Sequence, residues 1–392
     1  MNRRRPPRAL NLPQRTLLIL RHEFAAGVTV GAGAVAGVVW SALSESNYRS
    51  VIDARVSSSW LRSWDLDSLR HVSVNGAMTI FFFAVGLELS KEIRTGSLRE
   101  RHQAVLPVLA ALGGMVACAT IYFALGATVH NAQITSGWGV PMATDIAFTL
   151  GALSMMGRRI PRSLRTFLLA LAVADDLFAV IVLAFSSHQR SSAPWLLGFA
   201  GVVVATFVLR RHLGPWQFVV ALALAWLTLV LAHVEPALAG VAIGMVVPFA
   251  PRSPGHRLER MVQPWSNAVA LPLFALCACG VAWSKVSWSP HGTEIVLGLV
   301  GARIIGKVLG ISLTVSLARR FGVPGPSEIR GALIWAASAL CAIGFTVPLL
   351  FAGALYGTAS SPYAESTVGL LMASLLAAAF GLGALRVVRR NA

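Results

Sequence analysis

Two aspartates stand side by side inside an otherwise apolar run, Leu171-Ala172-Val173-Ala174-Asp175-Asp176-Leu177-Phe178-Ala179-Val180. On a helix, adjacent side chains point about 100° apart, so the two carboxylates face different surroundings rather than sharing one proton symmetrically. Two unneutralised acids at this depth are strongly unfavourable. At rest one must be protonated, or paired with a cation or with a lysine. Burial disfavours the charged form, so an acid here keeps a proton that it can trade for a metal cation; an exposed aspartate has none to trade. Because the two acids interact, their titration belongs to the pair.

A lysine sits at comparable depth, in Gly301-Ala302-Arg303-Ile304-Ile305-Gly306-Lys307-Val308-Leu309-Gly310. Lys307 is one of only three lysines in the chain. Lysine can release its proton when buried, whereas arginine cannot, so Lys307 is a candidate partner for an aspartate. The alternative is a structural counter-ion without a role in turnover. Arg303, one turn earlier on the same face, is a weaker candidate with reach toward an aqueous funnel. A hard monovalent cation prefers oxygen ligands, by extension from the hard divalent ions. Asp176, Asp175, the Thr144 hydroxyl and main-chain carbonyls freed at a helix break supply such oxygens.

The composition says what must carry these residues. Of 392 residues 56% are hydrophobic and only 12% charged, and the mean hydropathy is +0.68; this is a membrane protein. The formal charge of +17 does not point to nucleic acid, because the polar surface such a protein needs is missing. The four cysteines, Cys118, Cys277, Cys279 and Cys341, lie in apolar runs and read as small hydrophobes. All nine histidines sit at or beyond span ends, which excludes an HExxH metal site and a deep histidine relay. No cofactor is expected.

A span needs about 20 apolar residues, and turn-formers and charges divide the chain into twelve: 24–43, 72–90, 104–125, 137–156, 166–185, 194–209, 216–231, 237–249, 264–283, 295–317, 332–353 and 366–385. With the N-terminus inside, the inner segments hold 25 basic residues and the outer loops six, so both termini are cytoplasmic by the positive-inside rule. The expected organisation is a basic cytoplasmic tail over 1–23, a transmembrane unit over 24–388 and a short cytoplasmic end at 389–392. The longest outer loop, Glu45 to Arg70, reads either as a hairpin or as a solvated irregular loop.

Span four carries Gly137-Trp138-Gly139-Val140-Pro141-Met142-Ala143-Thr144-Asp145, and span eleven Ala342-Ile343-Gly344-Phe345-Thr346-Val347-Pro348. Glycine and proline at these positions predict that both helices unwind. Non-helical backbone at this depth must be buried in protein or line water. Two interrupted spans are the mark of inverted-topology repeats with a site between them, and Asp145 and Lys307 can neutralise the opposed half-helix ends. The fold class expected is therefore an all-α polytopic membrane protein with twelve transmembrane helices, inverted repeats and two discontinuous helices.

Five strings carry a resemblance over nearly the whole chain: Phe81-Phe82-Phe83-Ala84-Val85-Gly86-Leu87-Glu88, Pro141-Met142-Ala143-Thr144-Asp145-Ile146-Ala147-Phe148, the Asp175-Asp176 segment, Gly306-Lys307-Val308-Leu309-Gly310 and Ile343-Gly344-Phe345-Thr346. The sequence resembles the bacterial NhaA-type sodium/proton antiporters. The resemblance implies that Asp176 is the principal ligand of the transported Na+, that Asp175 is the second exchanging acid and can pair with Lys307, and that Thr144 and Asp145 are helix-crossing residues. It further implies a charged cytoplasmic cluster for pH response at Glu88, Lys91, Glu92, Arg257 and Glu259, whose bland alternative is a solvated basic rim. A homodimer joined through the first outer loop, in a bacterial inner membrane, is implied in the same way. The chain departs from the family at Asn75-Gly76, where an aspartate is usual, at Ala278-Cys279, which replaces an Asn-Ala pair, and at Glu235, where a histidine is common.

The resulting expectation is a secondary antiporter, not an enzyme. It exchanges cytoplasmic Na+ or Li+ for external protons by alternating access, with two protons per cation because both acids sit at depth. The alternatives are a diverged homologue with altered pH dependence or cation preference, and a proton-coupled organic-anion carrier of related fold. An intramembrane aspartyl protease is disfavoured, since neither acid motif contains Gly-x-Gly-Asp.

Overall fold

A computed structural model describes residues 12–58, 61–62, 64, 66–96, 101–155, 161–186, 192–250, 253–326 and 331–390. Among the described residues every regular element is helical. In chain order these are α1 (Leu12–Leu43), α2 (Glu45–Ile52), α3 (Leu69–Arg94), α4 (Arg101–Thr128), α5 (Ala132–Ser136), α6 (Ile146–Met155), α7 (Arg162–Ser186) and α8 (Ala193–Leu209). They continue with α9 (Pro215–Leu231), α10 (Leu238–Val246), α11 (Gly255–Ala278), α12 (Pro290–Arg320), α13 (Ala332–Leu340), α14 (Thr346–Tyr356) and α15 (Ser361–Arg390). Among the described residues seven helices, α1, α3, α4, α7, α11, α12 and α15, are long and apolar enough to cross a membrane. The apolar helices α8 and α9 are shorter, at 17 residues each.

The outer segment after α1 differs from the hairpin reading. Residues 45–52 form a helix. Ser44 caps it by accepting from Asn47 N, and Glu45 and Arg49 pair one turn apart at 2.7 Å. Its Tyr48 is buried and donates to the carbonyls of Leu276 and Cys277, both at 2.8 Å. Arg70 ties down the far end of the segment, donating to Asp53 and to the carbonyl of Cys277. The local caps and this buried tyrosine favour a helix folded onto α11 over a paired ribbon.

The core that positions the deep charges is built on small residues. Gly310 of α12 meets Gly113 and Gly114 of α4, and Gly306 meets Cys118, so closely that a side chain at Gly310 would collide with the backbone of Gly113. In hydrocarbon, where apolar side chains gain little from leaving lipid, such close approach is how helices hold together. α12 starts at the Ser289 cap, with Pro290 as its first residue, and ends on Arg319 and Arg320, so both of its ends carry the favoured charge and capping chemistry.

Between α5 and α6 the chain runs through turns and irregular backbone over 137–145, and between α13 and α14 over 341–345. The glycines and prolines singled out in the sequence lie in or beside these stretches. Both stretches are buried almost throughout.

Candidate functional site

Asp175 and Asp176 lie in the middle of α7 and are 0% and 2% exposed. Their adjacency separates their environments as helical geometry requires. Lys307 of α12, itself fully buried, donates to both carboxylate oxygens of Asp175 at 2.8 Å. Asp176 has no such partner: its Oδ1 is buried and accepts no hydrogen bond. It lies within range of the charges of Asp175, Asp145 and Glu88. A buried carboxylate oxygen without a donor is costly unless a proton or a cation comes to it.

The interrupted segments are stitched to one another. Asp145 N donates to Ile343 O at 3.0 Å, the Thr144 hydroxyl donates to Cys341 O at 2.7 Å, and the Thr149 hydroxyl donates to Leu340 O at 3.1 Å. In the opposite direction the Thr346 hydroxyl donates to Asp145 Oδ2 at 2.7 Å. Asp145 thus stands just before α6 while its carboxylate accepts from the first residue of α14, where negative charge is favoured. Phe148 and Phe345 pack across the same junction with ring centroids 4.7 Å apart and planes tilted by 57°. Ser374 of α15 braces the second break, accepting from Gly344 N at 3.2 Å with Leu370 O at 2.8 Å and Gly344 O at 3.2 Å as acceptors for its hydrogen.

Arg303 is not at an aqueous funnel: it is fully buried. Its guanidinium donates to Ala143 O at 2.8 Å, Ala342 O at 3.2 Å and Pro141 O at 3.3 Å. The carbonyls freed by the two breaks, read from sequence as oxygens for a transported cation, are therefore held by an arginine. Thr346 and Ser374 were also missed as site residues. Thr346 lies in the string that marks the second break, whereas Ser374 lies in an ordinary apolar helix and carries no local signal.

The residues grouped for pH response are divided. Lys91 and Glu259 pair across α3 and α11 at 2.6 Å, half-buried, with His256 3.7 Å from the same carboxylate. Glu88 and Glu92 share α3 with Lys91. Arg257 is exposed and lines a separate basic cavity of about 750 Å³ with Arg210, Arg211, His256 and Arg260. Of the departures, Asn75 offers its main-chain oxygen to the Thr79 hydroxyl at 2.6 Å and to Trp226 Nε1 at 2.8 Å. Ala278 offers its carbonyl to the Tyr363 hydroxyl at 3.2 Å. Glu235, in the turn between α9 and α10, keeps Oε1 shut off from solvent without a hydrogen-bond partner, and burial pushes its carboxyl up to about 7.

The family model described as Na+/H+ antiporter 1 matches residues 18–385. Among curated relatives, the Na(+)/H(+) antiporter NhaA of Tolumonas auensis is 38% identical over 324 residues, covering 81% of each chain. The NhaA of Yersinia enterocolitica is 37% identical over 94% of this chain and 95% of its own. That of Streptomyces antibioticus is 37% identical over 94% of this chain and 79% of its own.

Proposed function

Because the chain belongs to the Na+/H+ antiporter 1 family, a family of membrane transporters rather than enzymes, we propose that it exchanges cytoplasmic Na+ or Li+ for external protons at the Asp175–Asp176 pair by alternating access. The observation that carries this reading is the inequality of the two acids. Asp175 holds the Lys307 ammonium on both oxygens, while a buried oxygen of Asp176 accepts nothing. In this reading Asp176 is the principal ligand of the cation substrate. Asp175 joins it once Lys307 lets go, and the Thr144 oxygen completes the set through a lone pair not engaged in donation to Cys341.

Charge balance gives the stoichiometry. Counting only the groups on α7, α12 and the Thr144–Asp145 stretch, the buried Asp145, Asp175 and Asp176 stand against the buried Arg303 and Lys307, which leaves one net negative charge when all five are ionised. One alkali cation balances it, whereas two protons in its place leave one net positive charge. The two loaded forms therefore differ by one charge, and the membrane potential contributes about 2.3 kcal/mol per 100 mV to each cycle. Mutual exclusion of cation and protons at one site supplies the coupling. An organic-anion carrier is disfavoured because both deep cations are engaged, Arg303 by carbonyls and Lys307 by Asp175.

The architecture that goes with this reading has twelve spans, with spans four and eleven discontinuous and related by inverted topology. It is a transmembrane unit over 24–388 in a bacterial inner membrane, with both termini cytoplasmic. Glu88, Lys91, Glu92, Arg257 and Glu259 are the proposed pH-responsive group, and a homodimer forms through the outer segment that contains α2. A second reading, a homologue with altered pH dependence, is favoured by Glu235 standing where the family commonly has histidine.

The test is cation-induced pH change in everted vesicles, scanned over pH with each alkali ion. Asp176→Asn abolishes exchange while the protein remains folded, and full exchange by that variant would overturn the site.

A further inference from the structure

Small alkali cations and guanidinium groups compete for the same thing, inward-facing carbonyl oxygens. The two breaks turn three such oxygens toward one point, Pro141 and Ala143 from the first and Ala342 from the second, and Arg303 takes all three. Ala342 lies just past the C-terminal end of α13, where the backbone carries negative partial charge, and Pro141 and Ala143 lie in the non-helical stretch before α6. Gly344 is part of the fit: a side chain there would meet the Arg303 guanidinium. No other cation is available to these oxygens among the described residues, since Lys307, one turn along α12, is spent on Asp175.

We infer that Arg303 is a tethered cation that occupies the carbonyl cluster of the helix crossing and thereby confines the transported ion to the carboxylates of α7. The argument rests on the exchange-site reading above and adds to it a positioning residue that touches neither the acids nor the substrate. Its chemistry suits the task. Guanidinium stays charged at every physiological pH and presents donors in a rigid fan, so it spans three oxygens that diverge from one another. A substrate cation settling there would be held by the protein's own backbone, away from the group that exchanges protons. With the arginine in place that second resting point does not exist. The division of labour also leaves Lys307 free to answer to Asp175 alone, because the three carbonyls are already held by Arg303.

The test compares Arg303→Met, Arg303→Gln and Arg303→Lys with the unaltered chain, each also combined with Asp176→Asn, by equilibrium binding of radiolabelled sodium to the purified protein and by exchange in proteoliposomes. The unaltered protein and Arg303→Lys bind one sodium per chain, and Asp176→Asn removes it. Arg303→Met binds a further sodium that survives Asp176→Asn, and its Vmax falls by about tenfold or more with little change in KM, the pattern of a trapped ion rather than a lost ligand. Absence of sodium binding in the Arg303→Met/Asp176→Asn protein, with wild-type Vmax in Arg303→Met, overturns the inference. If the methionine variant does not fold, Arg303→Gln decides: its amide carries no charge and reaches fewer carbonyls, so it binds the further sodium that survives Asp176→Asn and loses Vmax at unchanged KM, whereas a single sodium that Asp176→Asn removes, with unchanged Vmax, is the contrary result. Asp176→Asn alone reports on the exchange site, so failure there is distinguishable from failure at the arginine.

Discussion

The hydroxyl of Thr346 donates to Asp145 Oδ2 across 201 residues of sequence at 2.7 Å. This bond joins the first residue of α14 to the residue that precedes α6 and is the contact between the two non-helical stretches that engages a carboxylate.

Thr346→Val removes the donor without changing shape and leaves that carboxylate oxygen without its buried partner. A hydrogen bond to a charged group contributes about 1.5–3 kcal/mol. The variant should lose stability of that order, read as a lower unfolding temperature in detergent. An unfolding temperature equal to that of the unaltered protein would mean that Thr346 does not hold the junction.

Lys307→Met strands the Asp175 carboxylate in the interior. Breaking a buried pair from one side costs about 3–5 kcal/mol, whereas removing both charges is often close to neutral. Lys307→Met should therefore be strongly destabilised, and Asp175→Asn combined with Lys307→Met should regain most of the loss. The double-mutant cycle measured by thermal unfolding gives the coupling; additive single losses would show that the two groups are independent.

Glu235 gives the pH dependence of stability a definite sign. Burial raises its carboxyl from 4.5 to about 7, so between those values the folded chain binds a proton that the unfolded chain has released. Stability then falls as pH rises through that interval and is flat above it, as far as this group is concerned. Glu235→Gln should remove the slope and raise the unfolding temperature at pH 8 relative to the unaltered protein, with no gain at pH 4. A slope that persists in the glutamine variant belongs to another group.

The deep charges were legible in the sequence because hydrocarbon makes them expensive: Asp145, Asp175, Asp176 and Lys307 announce themselves by standing where little else is polar. Gly137, Gly139, Pro141 and Gly344, poor residues for the middle of a helix, lie in the non-helical stretches 137–145 and 341–345. What no local pattern could supply was pairing. The spacing of Arg303 and Lys307, four residues apart on one face, does not say that one turns to carbonyls and the other to a carboxylate. That choice depends on which helix lies opposite, and is made by the glycine contact of α12 with α4. The outer segment reads from composition as either a hairpin or an irregular loop, yet Ser44, Glu45 and Arg49 carry ordinary helix-start signals and residues 45–52 are a helix.

Ser374 has one hydrogen and two acceptors in reach, Leu370 O within its own helix and Gly344 O at the second break. Rotation about a single side-chain bond passes the hydrogen from one to the other with no net loss of bonding. The brace is therefore a swivel: whichever carbonyl takes the hydrogen, Gly344 N keeps its bond to Ser374 Oγ and no hydroxyl is left unbonded in oil.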